Sequence, residues 1–426
     1  MKITTKIIGL SLLSILLIGC QNTSTPKESE NVNLTFNIWD SDQAPGMRAM
    51  ADAYTEKHPN VSIDVEVIPW DQYWSSLESA AQGESLPDIF WMHSNEISKY
   101  AKGDVLYNLT DLVNDSEITG RDHFPEGLIE LYTHDNQLYG IPKDYSSIGL
   151  WYNRELFDKA GLDYPDETWN WNDVLNAAQN ITDHESGIYG FLAANNREEG
   201  YHNIIYQEGG YVISEDKDKS GFRLQETIDA VQWWVDLSIK HRVSPTQTQF
   251  AENERISYFQ AGRAGMAMFG SWMTNAMLNN EYTLANADVA RLPNNGNSAT
   301  IYNGLAYSVS KFTNHPEEAL GFIEFLGSEE ANIIQGEMGS AIPAYIGTDY
   351  TFFEAFPEFN IEAFTLDMNN AVLKPYSTYT QRWEYVENHT LMKVFLGEDT
   401  VEGVSKQIVE QVEQILESER IQDKEE

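Results

Sequence analysis

The chain has almost no cysteine: Cys20 is the only one in 426 residues. One thiol cannot build an internal disulfide framework, so the fold must stand on its packing. Basic residues are also scarce, 27 Lys and Arg against 66 Asp and Glu, for a formal net charge of −39. Such a surface repels nucleic acid and anionic lipid headgroups at long range, which excludes a polyanion-binding role. Catalytic signatures are missing too. There is no G-x-x-x-x-G-K-[ST] phosphate cradle, no G-x-S-x-G elbow and no H-E-x-x-H pair. Nine histidines are scattered without metal-ligand spacing, so no metal and no cofactor is expected. Asp216 to Gly221 begins like a calcium loop, but the twelfth position is Thr227, which cannot supply the bidentate carboxylate. It reads as a polar hairpin turn. No period of 20–50 residues recurs. No Gly/Ser or Pro-rich linker divides the chain, which suggests halves joined by several short crossings.

What is present begins at the N-terminus. Lys2 and Lys6 precede an apolar stretch, Ile7 to Ile18, broken only by Gly9, Ser11 and Ser14. It falls short of the roughly 20 residues a helix needs to cross a bilayer, so residues 1–19 read as a secretory signal. The stretch ends Leu17-Ile18-Gly19-Cys20 and resembles a lipobox, which implies lipidation at Cys20 and an extracytoplasmic protein held to the cell membrane. Residues 20–32 are polar and read as a flexible tether.

About 400 residues remain, too many for one typical domain of roughly 100–200. Apolar residues make up 42%, enough for substantial cores, and 11 Trp, 22 Tyr and 18 Phe suit a site that stacks flat ligand faces. Leu34, Phe36 and Ile38 alternate with polar neighbours as a strand does. Met47, Met50, Ala51 and Tyr54 follow at helical spacing, and His58-Pro59-Asn60 stops that helix. Val61 to Val67 alternates again, and Pro87 to Trp91 reads as a short buried strand. The alternation continues to an amphipathic helix carrying Val401, Val404, Ile408, Val412 and Ile415. This is an α/β pattern with mixed sheets flanked by helices.

Several segments in order resemble the extracellular solute-binding proteins that include the maltose-binding protein. They are Phe36 to Asp40, Leu86 to His93, Leu138 to Asn153, Phe259 to Trp272 and Pro316 to Leu326. The resemblance spans nearly the whole chain after the tether. It implies two α/β lobes of the type II periplasmic-binding fold, a hinge of about three crossings, and a cleft that closes on ligand. It also implies a sugar or oligosaccharide as ligand, transmembrane permease subunits of an ABC importer as partner, and a monomer. The first lobe is expected over 33–142 and 303–343, the second over 146–300 and 346–420.

A sugar offers apolar ring faces and hydroxyl edges, so its site should mix aromatic platforms with carboxylates at strand ends. Asp40 and Asp42 follow the first strand beside Trp39 and are expected to accept sugar hydroxyls; the bland alternative is that Asp42 caps the next helix. The resemblance matches Trp91 to a cleft tryptophan, with His93 following. It departs at Ser94, where the maltose-binding protein has an acidic residue. Asp144 and Tyr145 fall at the expected hinge crossing. The family places an aromatic platform at Trp272 and a second at Trp383. Tyr201, His202 and Glu208, after a loop of the second lobe, are further candidates. Two other classes stay open: a secreted carbohydrate-active enzyme, and the same binding fold with a non-sugar ligand.

Overall fold

The computed structural model describes residues 31–425. The expected signal, Cys20 and the tether up to residue 30 lie outside the described residues. The strand Val32–Ile38 buries Leu34, Phe36 and Ile38, as its alternation requires. Helix Ala44–Lys57 buries Met47, Met50, Ala51 and Tyr54 on one face, with proline in its first turn. Helix Trp171–Ile181 starts on a reciprocal cap between Asn170 and Asp173.

Two principal sheets organise the molecule. The first has five strands in the order Val61–Val67, Val32–Ile38, Ile89–His93, Leu305–Val309, Ile141–Pro142. The first three are parallel, and Leu305–Val309 runs antiparallel to both its neighbours. The second sheet orders Ala287–Ala290, Ile148–Asn153, Ala264–Gly270 and Tyr189–Phe191. Its central strands are buried along their whole length. Leu150, Tyr152, Met266 and Met268 enter one core, and Trp151, Ala267 and Phe269 enter another, so both faces are covered.

A separate core gathers residues from Val32 to Ile141 and from Tyr302 to Ala344 around the five-stranded sheet. The halves are tied by short pairings: Asp144–Tyr145 with Ile342–Pro343, Ile301–Tyr302 with Val372–Leu373, and a bridge between Ser146 and Asn303. A Cβ at Gly304 would fall 2.2 Å from the Asp144 carbonyl oxygen, so only glycine lets these crossings lie this close. One expected boundary is corrected here. Residues 346–420 do not all stay with the second half: Phe352 to Phe364 and Trp383 to Leu416 pack in the cores of the second, while Met368, Ala371, Leu373 and Tyr376 pack against the first core. The pairing of Val372–Leu373 with Ile301–Tyr302 draws that segment back.

Candidate functional site between the two halves

A cavity of about 610 Å³ lies where the two sheets face each other across the crossings. Its walls come from the carboxyl ends of strands, the usual ligand position in open α/β sheets. The first half supplies Trp39 and Asp40, just past Val32–Ile38, together with Trp70, His93 and Asn95. The crossings supply Asp144, Tyr145, Ser146 and Asn303. The second half supplies Asn195 to Glu199, Trp272, Glu384 and Asn388, with Lys374 beside them.

Trp272 is half-buried and follows strand Ala264–Gly270. Its ring lies back over Gly270, where a Cβ would sit 2.1 Å from Trp272 Cζ3. On the opposite wall, Trp39 is held edge-on by Trp70 at 5.2 Å, Tyr73 at 5.0 Å and Trp91 at 5.0 Å. The cavity therefore has an indole anchored on each half.

Hydrogen bonds fix its polar groups. Lys143 is buried and donates from Nζ to Asp144 Oδ2 at 2.6 Å and to Gln43 Oε1 at 2.8 Å. Gln43 Nε2 donates to Asp40 Oδ2 at 3.0 Å, and the Leu305 amide donates to Asp144 Oδ1 at 2.7 Å. The chain Asp40–Gln43–Lys143–Asp144 thus ties the first strand to the crossing. Asn303 Nδ2 donates to Glu198 Oε1 at 3.1 Å, while Ser94 Oγ donates to Asn303 Oδ1 at 3.0 Å.

A second network closes the far side. Lys374 Nζ donates to Glu384 Oε1 at 2.9 Å and also reaches Asn95 Oδ1. Arg197 Nη2 donates to Glu384 Oε2 at 3.2 Å, and Asn95 Nδ2 donates to the same oxygen at 3.0 Å. Burial alone would raise the Glu384 carboxyl, but Lys374 and Arg197 outweigh it and hold it at about 2. His93 is pushed down to about 3, first by burial and then by the Lys374 charge, so it is neutral at pH 7. Behind this wall, His202 and Glu387 form a buried pair at 3.2 Å. Burial lifts Glu387 to about 8 and drives His202 well below its ordinary value, so both groups are held uncharged at pH 7.

Five of the expected residues line the cavity together: Asp40, His93, Asp144, Tyr145 and Trp272. Three do not. Trp91 has no exposure and lies beneath Trp39, with the Lys143 ammonium 4.4 Å from its ring centroid. It sits two residues inside the central strand, so its neighbours cover it. Trp383 also has no exposure and donates from Nε1 to Ser377 Oγ at 3.0 Å. One helical step, about 100°, turns Glu384 to the cavity and Trp383 to the core. Asp42 is exposed outside the cavity, its amide donating to Asp40 Oδ1 at 2.8 Å. Tyr201 and His202 are buried behind the cavity wall, and Glu208 pairs with Asn295 away from it.

Sequence reasoning missed Trp70, Asn95, Arg197, Glu198, Lys374 and Glu384. The run Asn195-Asn196-Arg197-Glu198-Glu199 behind a strand was a visible polar cluster. The partnership of Lys374 with Asn95 links residues 279 apart and left no local signal.

The sequence profile described as "Bacterial extracellular solute-binding protein" matches residues 40–333. The chain belongs to this family. The solute-binding protein is 25% identical over 335 residues to the arabinooligosaccharide-binding protein of Bacillus subtilis (strain 168), covering 75% of each chain. Its fold is similar to an ABC substrate-binding protein from Listeria monocytogenes in complex with cycloalternan, at TM-score 0.84 and 22% identity, covering 91% of this chain and 99% of that one. It is similar as well to maltose-bound MalE3 of T. maritima, at TM-score 0.77 and 20% identity, covering 90% of this chain and 100% of that one. The two-lobed fold of these proteins is the fold of this solute-binding protein.

Proposed function

We propose that this protein captures a neutral sugar or oligosaccharide outside the cytoplasm and passes it unaltered to the transmembrane permease of an ABC importer. Ligand is held where the two halves meet, and their approach about the crossings completes its contacts. The observation that carries this reading is the pair of indole platforms, Trp39 and Trp272, on opposite halves of one cavity that also presents Asp40, Asp144 and Glu198. Ring faces stack on the indoles and hydroxyls bond to the carboxylates. The volume lies within the roughly 300–1,000 Å³ of small-molecule sites, enough for more than one pyranose ring. The excess of carboxylates over cations on the wall disfavours uronic acids and other anionic sugars. Oligosaccharide ligands named for the relatives support the same class. The protein acts as a monomer tethered through acylated Cys20.

Titration with arabino-, galacto- and maltooligosaccharides, followed by tryptophan fluorescence and calorimetry, tests the proposal. Saturable binding without product is the expected result, and turnover of any of them would overturn it. Incorporation of a labelled fatty acid, lost in Cys20→Ala, tests the anchor.

A further inference from the structure

A second cavity, of about 620 Å³, lies behind the crossings and plays no part in the proposed capture of sugar. Alternation along the crossing strands sets its position. Asp144, Ser146 and Asn303 face the first cavity, Tyr302 beside Asn303 lines the second, and Tyr145 borders both.

Its chemistry differs from that of the first. Asp349 is the only charged residue lining it among the described residues, and Met368, Ala371 and Leu373 supply apolar wall. Tyr145 and Tyr302 form a corner, with ring centroids 6.1 Å apart and planes at 51°. A cation is attracted to an aromatic face from within roughly 6 Å of its centroid, so two tilted rings this close can act on one cation. Asp349 stands at the same corner, its Oδ2 accepting from Tyr145 Oη at 3.4 Å. Two tilted rings, one carboxylate, apolar walls and no lining cation among the described residues make a site for positive charge on an apolar carrier.

We propose that this rear cavity binds a small organic cation, an ammonium group bearing methyl or methylene substituents. The rings face the ammonium, Asp349 neutralises it, and Met368 and Leu373 receive its carbon substituents. The long-range field of a chain with net charge −39 concentrates such cations near the surface.

Calorimetry and ligand-observed NMR on the folded protein, with choline and tetramethylammonium as probes at constant ionic strength in sodium chloride, test this. Saturable binding should persist in the sodium salt, and Asp349→Asn should weaken it at least tenfold. Asparagine can still cap the helix Tyr350–Glu354 that Asp349 begins, so this variant keeps the fold. Asp40→Asn, in the front cavity, should leave binding unchanged. The neutral carbon isostere 3,3-dimethylbutan-1-ol should bind at least tenfold more weakly than choline. Competition by sodium at equal concentration, or equal binding of the isostere, would overturn the proposal. So would an effect of Asp40→Asn in place of Asp349→Asn. None of these outcomes depends on which sugar, if any, the front cavity takes.

Discussion

Asn95 and Glu384 lie 289 residues apart in the chain and meet across the cavity in a hydrogen bond of 3.0 Å. Asn95 follows a strand of the first half, and Glu384 stands on helix Thr380–Phe395, whose Trp383 and Leu391 belong to a core of the second. The bond therefore exists only when the halves are close. A hydrogen bond to a charged group contributes about 1.5–3 kcal/mol. Asn95→Ala should weaken sugar binding about ten- to hundredfold and raise the radius of gyration of the unliganded protein in small-angle scattering. Affinity and dimensions like those of the wild type would show that this contact does not govern closure.

The tryptophans should separate into two classes. Trp272→Ala should remove most sugar affinity and leave the melting temperature within a few degrees, because the ring is half-buried at a cavity wall. Trp91→Ala should instead cost about 3–5 kcal/mol of stability, the usual cost of emptying a large aromatic site. Trp383→Phe keeps most of the volume but loses the bond to Ser377, at about 1 kcal/mol, with affinity unchanged. Denaturant melts and calorimetry on the same samples measure both quantities.

Gly270 should behave as part of the Trp272 platform. A methyl group at 270 would occupy the space of the indole, so Gly270→Ala must displace it. Sugar affinity should fall toward that of Trp272→Ala, and the double variant should lose little more than either single one. Fully additive losses would separate the two residues.

Glu387 should make the fold pH-dependent. Its folded-state value is raised from the ordinary 4.5 to about 8, so between these limits the folded chain keeps a proton that the unfolded chain releases. Stability from this group is complete below about 4.5 and falls as pH rises, by up to about 1.4 kcal/mol per unit, until about 8. His202 acts in the opposite sense below its ordinary 6.5, where the unfolded chain takes up a proton that the buried ring refuses. Above that value His202 no longer opposes Glu387, and Glu96, raised to about 7 by burial, acts in the same sense in both wild type and variant. From pH 6.5 to 8 the wild type should lose about 2 kcal/mol relative to Glu387→Gln, whose amide can still donate to the ring. Urea midpoints at the two ends of this window measure the difference.

Much of the architecture was legible because it is written in periodicity. Leu34, Phe36 and Ile38 alternate, Met47 to Tyr54 repeat at helical spacing, and both patterns are buried as read. The site was legible where a side chain sits at the very end of a strand: Asp40, His93 and Trp272 need only the local turn to reach the cavity. It was not legible where direction decides. Trp383 and Glu384 are adjacent, and the rotation of one helix against its core chooses between them. Lys374 carried no local mark, since its role arises only when residues 95 and 384 arrive beside it. Burial of Trp91 likewise depends on Trp39 and Lys143 covering it from elsewhere in the chain.

The placement of Leu305–Val309 has a kinetic meaning. This strand fills the gap between Ile89–His93 and Ile141–Pro142, so the earlier part of the sheet has an unfilled seam until the ribosome has made some 300 residues. Pairings across such sequence distances are slow to find. The first sheet is therefore completed late, only once Leu305–Val309 has been made, whereas every strand of the second sheet lies between Ile148 and Ala290 and is available earlier.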